Sequence, residues 1–129
     1  MSDRFFDKEG KPISLRFWGE LYENKEYRFL RDDRFLSSNG VECHVVTVWL
    51  GDNFEDELRI IDMDAPGYLP RVFGTMILGG ISLSGENQEI RHCTEQQAIE
   101  RHELIVAALK SGDPVLLSQV QKILEQDGV

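Results

Sequence analysis

Cysteine is scarce in this chain: Cys43 and Cys93 are the only two among 129 residues. A disulfide-built scaffold is thereby excluded, and both thiols are expected to be reduced, buried small side chains. Long apolar runs are missing, since no window approaches the roughly eighteen consecutive apolar residues of a membrane span. Residues 1–20 alternate charge with aromatics and hold no apolar stretch of the kind that directs secretion, so a cytoplasmic location is expected. There are no internal repeats and no low-complexity linkers. Basic side chains are a minority, 14 Lys and Arg against 23 Asp and Glu, a formal net charge of −9. Duplex binding rests on cations that neutralise phosphates, so direct nucleic-acid binding is disfavoured. Catalytic signatures are equally sparse: no Gly-X-Ser-X-Gly elbow, no Walker-type phosphate loop and no His-Glu-X-X-His helix occurs, and no cofactor is expected.

What is present has ordinary globular composition, 41% hydrophobic and 29% charged, in a length that suits one domain over 1–129. Asp7 to Gly10 has the residue choice of a tight turn. Ser14 then offers an N-cap oxygen to a helix whose Leu15, Trp18, Leu21 and Tyr22 recur at three- and four-residue spacing and which ends near Asn24. From Glu26 the period becomes two, and strands are expected at 26–36 and 41–50, joined by Ser37-Ser38-Asn39-Gly40, where Asn-Gly is a strong hairpin signal. A further short strand over 58–63 and one over 71–78 follow, the latter carrying Gly74 as a bulge or a close backbone approach. A last strand at 89–93 runs into Thr94 and Gln97, a capping box for a helix with Ala98, Ile99, His102, Ile105, Val106 and Leu109 on one face. Gly112 stops it, and Asp113-Pro114 opens a second helix. The class is α+β: an antiparallel four- to five-stranded meander packed by an N-terminal helix and two C-terminal helices. Trp49, Phe73, Ile77, Ile99 and Val106 are the expected core between sheet and helix.

Four segments in order carry a resemblance. They are Phe5-Phe6-Asp7-Lys8-Glu9-Gly10-Lys11-Pro12-Ile13 with Trp18 and Leu21 to Tyr27, Val46-Thr47-Val48-Trp49-Leu50-Gly51, Pro70 to Leu78, and Cys93 to Ala98 with Arg101-His102-Glu103. Together they resemble a family of small uncharacterised proteins of phages, prophages and actinobacteria, with patterns Ser-Thr-Val-Trp-Leu-Gly, Leu-Asp-His-X-Phe, Pro-Leu-Ile-Phe-Glu-Thr-Met-Val, and a closing Thr-Glu-X-X-Ala then Gly-His-Glu. The likeness covers about three-quarters of the chain. This chain departs from it at Asp52-Asn53-Phe54, where the family histidine is missing, in an acidic insertion over 55–69, and at Gly74, where the family has Glu. The resemblance implies a phage or mobile-element accessory protein and carries over no chemistry that needs that His and Glu.

Three constellations invite a function. Cys43-His44 and His92-Cys93 supply zinc-type ligands, but adjacent strand residues face opposite ways, so buried cysteines beside exposed histidines are expected and no metal. His102, with Glu95, Arg101 and Glu103 near it, has the chemistry of a general base, yet no nucleophile accompanies it, and a packed ring satisfied locally is expected. Asp52, Glu55, Asp56, Glu57, Asp62 and Asp64 crowd carboxylates into one short stretch without the ligand order of a calcium loop. They form the expected partner-binding site, facing a protein with a basic surface. The function expected is therefore non-catalytic: an accessory protein acting by binding, of anti-defence (anti-CRISPR-like) type, and a homo-oligomer, because a short meander leaves an edge or a face that a second copy covers. The alternative is a small enzyme or nucleotide-ligand sponge with a pocket between the 41–50 and 71–78 strands.

Overall fold

A computed structural model describes residues 4–54, 66–79 and 88–127. Ser14 Oγ accepts from Phe17 N at 3.1 Å and starts α1, Leu15–Glu23. The chain does not pass straight into a strand from Glu26. Asn24 caps a one-turn helix α2, Lys25–Arg28, its side chain accepting from the amides of Glu26 and Tyr27, so β1 runs only over Phe29–Leu36. Asparagine is a strong N-cap, and this local hydrogen bonding overrides the period-two pattern. The Asn39-Gly40 hairpin then leads to β2, Glu42–Trp49, followed by β3, Phe73–Leu78, and β4, Gln88–His92. The order is β1-β2-β3-β4 with every neighbour antiparallel, a meander. The expected strand at 58–63 lies outside the described residues.

Of the two readings of Gly74, close approach holds. Its pairing with Val48 and Arg91 is regular, while a Cβ at Gly74 would stand 2.7 Å from Leu50 Cδ1. The irregularity in the sheet falls elsewhere, in β1 between Phe29 and Arg31.

The helix α3, Glu95–Ser111, opens with Gln97 N donating to Thr94 Oγ1 at 3.1 Å. Gln97 Oε1 reciprocates one residue further back, accepting from Cys93 N at 3.1 Å. Gly112, at φ 68°, provides the left-handed stop, and α4, Pro114–Asp127, follows with Val115 N bound to Asp113 Oδ1 at 2.8 Å. α3 lies across all four strands, and α4 packs on α3 and β4. No helix among the described residues is long and apolar enough to cross a membrane.

Strand alternation sends Cys43, Val45, Thr47 and Trp49 toward the helices, and the register sets Ile77, Thr75 and Phe73 beside them. The apolar interior is in two pieces. One gathers Cys43, Val45, Ile77, Ile90, Ile105, Ala108, Leu109 and Val120. The other gathers Phe6, Trp49, Val72, Phe73 and Ala98, with Trp18, Leu21, Tyr22 and Tyr27 against it. Trp49, Phe73 and Ile77 are buried as expected. Ile99 and Val106 are not: the inward face of α3 is Ala98, His102, Ile105, Ala108 and Leu109, so the apolar stripe is rotated. Val106 sits half-buried at the margin of the first cluster, and Ile99 lines a shallow outer groove with Glu95, Gln96 and Glu100. The physical reason is that small Ala98 and Ala108, together with a partnered His102, let the helix backbone come close to the sheet, where Ile105 and Leu109 complete the inward face and Ile99 and Val106 fall at its margin.

Candidate functional site

Between the two apolar clusters runs a polar stripe. Each element that crosses it supplies one side chain at the same inward step: Thr47 between Val45 and Trp49, Thr75 between Phe73 and Ile77, His102 between Ala98 and Ile105, and His92 at the end of β4. Thr47 and Thr75 are direct cross-strand partners, and their hydroxyl oxygens stand 2.6 Å apart. His102 Nδ1 lies 2.7 Å from Thr47 Oγ1, and its Nε2 lies 2.6 Å from Asp33 Oδ2 on β1. On the far side, Thr75 Oγ1 is 2.8 Å from His92 Nε2, whose Nδ1 is 3.3 Å from Arg101 Nη1. Arg101 Nη2 then binds Asp127 Oδ2 at 2.9 Å, and Arg71 Nη1 binds the other oxygen of the same carboxylate at 3.2 Å.

The order carboxylate, imidazole, hydroxyl in Asp33–His102–Thr47 is that of an activated nucleophile. Access decides against it. Thr47 and Thr75 have no exposed surface, His92 has none and His102 has 1%, so no substrate reaches the hydroxyl in this conformation. Thr75 also occupies the second side of Thr47 Oγ1. The stripe instead satisfies polar groups that would otherwise cost several kcal/mol each, about 1–3 by mutational measures, if buried without partners. His102 is the packed, locally satisfied ring expected from its helix face, but its carboxylate partner is Asp33, neither Glu95 nor Glu103. Burial first, and then the positive charges of Arg101, Arg71 and Arg91, push the His92 imidazole down to about 3.

The cysteine–histidine pairs separate as alternation requires, with one reversal. Cys43 is buried on the helix side, where burial pushes its thiol up, while His44 lies on the opposite face against Asp32 at 2.6 Å. In the second pair the histidine is the buried member, because Phe73 and His92 are register partners on the helix-facing side. Cys93, just past β4, is partly exposed and donates to Leu69 O at 3.7 Å. Among the described residues no three of His, Cys, Asp and Glu converge as metal ligands.

Of the acidic stretch, Asp52 is described and Glu55, Asp56, Glu57, Asp62 and Asp64 lie outside the described residues. Asp52 forms a bridge with Phe5, and its carboxylate accepts from Arg91 Nη2 at 3.2 Å and from Phe54 N at 3.3 Å. Arg91 is otherwise held by Arg71 O at 3.1 Å and by Glu89 at 3.5 Å. Asp52 thus clasps the N-terminal segment and the sheet together.

β2 and β3 hydrogen-bond directly to each other, which leaves no room for a pocket between them. A cavity of about 470 Å³ lies beside them at the hairpin end, lined by Arg34, Leu36, Glu42, His44 and Leu78 among others. That volume is within the usual range for small-molecule sites.

Sequence reasoning missed the stripe. Its signal was one hydroxyl in each of two otherwise apolar strands and one histidine on an apolar helix face, each explicable alone and informative only once aligned. Compared with protein-family models, with curated proteins and with solved structures, the chain matches none.

Proposed function

We propose that this chain acts by binding, as an accessory protein of a phage or mobile element of anti-defence type that presents an acidic surface to a basic protein partner. The observation that supports this reading is where the cations go. Of the 14 basic residues, Arg71, Arg91 and Arg101 are turned inward, with side chains only 10%, 6% and 18% exposed, onto Asp127, Asp52 and Glu89. These pairs cancel one another and leave the whole charge of −9 to the remaining side chains, where cations are fewer still. Such a field speeds encounter with a basic partner and repels nucleic acid. Among the described residues, the constellation with a nucleophile's partners has its Thr47 hydroxyl sealed from solvent. Glu55, Asp56, Glu57, Asp62 and Asp64 are the contact residues of this reading.

The test is association kinetics. Immobilised protein is expected to capture basic nucleic-acid-binding proteins from bacterial lysate and to release them as salt rises, since exposed charges are screened within about 10 Å at 0.1 M salt. With the captured partner in hand, reversing Asp56 and Glu57 to Lys is expected to slow association about tenfold or more and to leave dissociation nearly unchanged. Unchanged affinity in the reversed variant rules out the acidic contact. A homo-oligomer belongs to the same reading, because among the described residues β1 and β4 end the sheet. Light scattering at high micromolar concentration is expected to give a mass above 14.8 kDa, and a monomeric mass there removes it.

The cavity beside Arg34 and His44 favours a second reading, a site for a small anionic ligand such as a nucleotide. A thermal-shift screen with nucleotides separates the two: a rise in melting temperature supports the cavity, and its absence leaves the acidic surface.

A further inference from the structure

The stripe from Arg101 to Asp33 has one way to place its protons. Arginine only donates, so His92 Nδ1 accepts and that ring carries its proton on Nε2. Nε2–H donates to Thr75 Oγ1, Thr75 donates to Thr47 Oγ1, and Thr47 donates to His102 Nδ1. His102 Nε2–H then donates to the Asp33 carboxylate, which when ionised only accepts. Both imidazoles are therefore neutral Nε2–H tautomers, and every bond points the same way.

From β1 His102 meets Asp33, and from β2 and, through Thr47, β3 only the threonine hydroxyls. His92 of β4, at the other end of the hydrogen-bonded chain, feels His102 electrostatically, together with Arg101 of α3, Arg71 and Arg91, and Asp127 of α4 stands behind Arg101 and Arg71.

We propose that this one-way chain is a proton-operated latch on α4: its protonated form runs in the opposite direction and is incompatible with Arg101 at His92, so proton uptake releases the Arg101–Asp127 pair. The balance is explicit. A proton from hydronium bonds to His92 Nδ1. The Nε2 proton passes to Thr75, the Thr75 proton to Thr47, and the Thr47 proton to His102 Nδ1. One proton has entered, and the product is a His102 imidazolium beside the Asp33 carboxylate with each hydroxyl reversed. His92 Nδ1 now carries a proton where Arg101 Nη1 points its own. Two donors cannot share that position, so Arg101 leaves and loosens its hold on Asp127. Asp127 is then left with Arg71 Nη1 alone at 3.2 Å, at a helix C-terminus whose dipole disfavours a carboxylate. By linkage, freeing the end of α4 also favours proton uptake.

Nitrogen-15 NMR reads the tautomers and hydrogen exchange reads α4. At neutral pH both histidines are expected as Nε2–H tautomers. On acidification, the protection of the amides over 121–127 relative to their intrinsic exchange rates is expected to fall about tenfold, a typical coupling between linked sites, in step with the proton that the nitrogen shifts report on the chain. Thr75→Val cuts the chain and should leave the protection of α4 unchanged on acidification, whereas Thr75→Ser restores the coupling. If the valine variant does not fold, Arg101→Gln serves: α4 protection is then already low at neutral pH and falls no further on acidification. An Nδ1–H tautomer at either ring, unchanged α4 protection while His102 takes its proton, or one-step unfolding with His102 still neutral each overturns the latch.

Discussion

Acidification through the window from about 6.5 down to about 3 is expected to remove on the order of 4–5 kcal/mol of folding stability through His92 alone. In the unfolded chain this imidazole takes a proton near 6.5. In the folded protein it resists until about 3, because it is fully buried and Arg101, Arg71 and Arg91 surround it. Inside the window the unfolded state therefore binds one more proton than the folded state, and protons favour unfolding. The stability is complete above about 6.5, falls by about 1.4 kcal/mol per pH unit, and is exhausted near 3. Urea midpoints measured across the window check the slope. His92→Asn should be less stable at neutral pH, having lost its bonds to Thr75 and Arg101, and should show a clearly shallower dependence because asparagine does not titrate. An unchanged slope in that variant would assign the titration to another group.

Phe73→Ala is expected to cost about 3–5 kcal/mol. Phe73 is completely buried, lies between Trp49 and His92 in the register, and packs with Val72 and Ala98 in the second cluster. The sheet is hydrogen-bonded on both sides of it, so the backbone cannot close over the space left behind. Ile99→Ala on the outer side of α3 provides the contrast and should cost under about 1 kcal/mol, as changes outside a packed core usually do. Denaturant unfolding of both variants is decisive. Comparable losses would mean that α3 is rotated relative to its inward face of Ala98, His102 and Ile105, and a Phe73→Ala loss under about 1 kcal/mol would displace the second cluster from the core.

The features that were legible in advance are those whose physics is local. Ser14, Thr94 with Gln97, Asp113 and Gly112 act within a few residues of themselves, through hydrogen bonds to the next turn or a left-handed φ, and all are where their spacing placed them. The β2 and β3 strands follow from runs of β-branched and aromatic residues, and the Asn39-Gly40 turn from its own conformational preference. Local misreadings had local causes as well. Asn24 caps α2 and shortens the expected first strand by a helical turn, a competition between capping and alternation that neither pattern resolves alone. The inward face of α3 was misjudged at Ile99 and Val106 because an apolar stripe wider than the contact leaves its rotation open.

The α+β class, the antiparallel meander and the helix ends were determined by the sequence itself, since propensity, capping and alternation act between near neighbours. The polar stripe was decided by the tertiary structure only. Its bonds join residues 9, 17, 28, 55 and 69 positions apart. Whether Thr47 meets Thr75 depends on a register that a one-residue slip would abolish by turning one hydroxyl to the other face of the sheet. Whether His102 meets either Thr47 or Asp33 depends on how α3 is rotated over that register. The direction of the hydrogen bonds comes last, from an arginine at one end that can only donate and a carboxylate at the other that can only accept, and those two ends meet the same chain only once the sheet and the helix have packed.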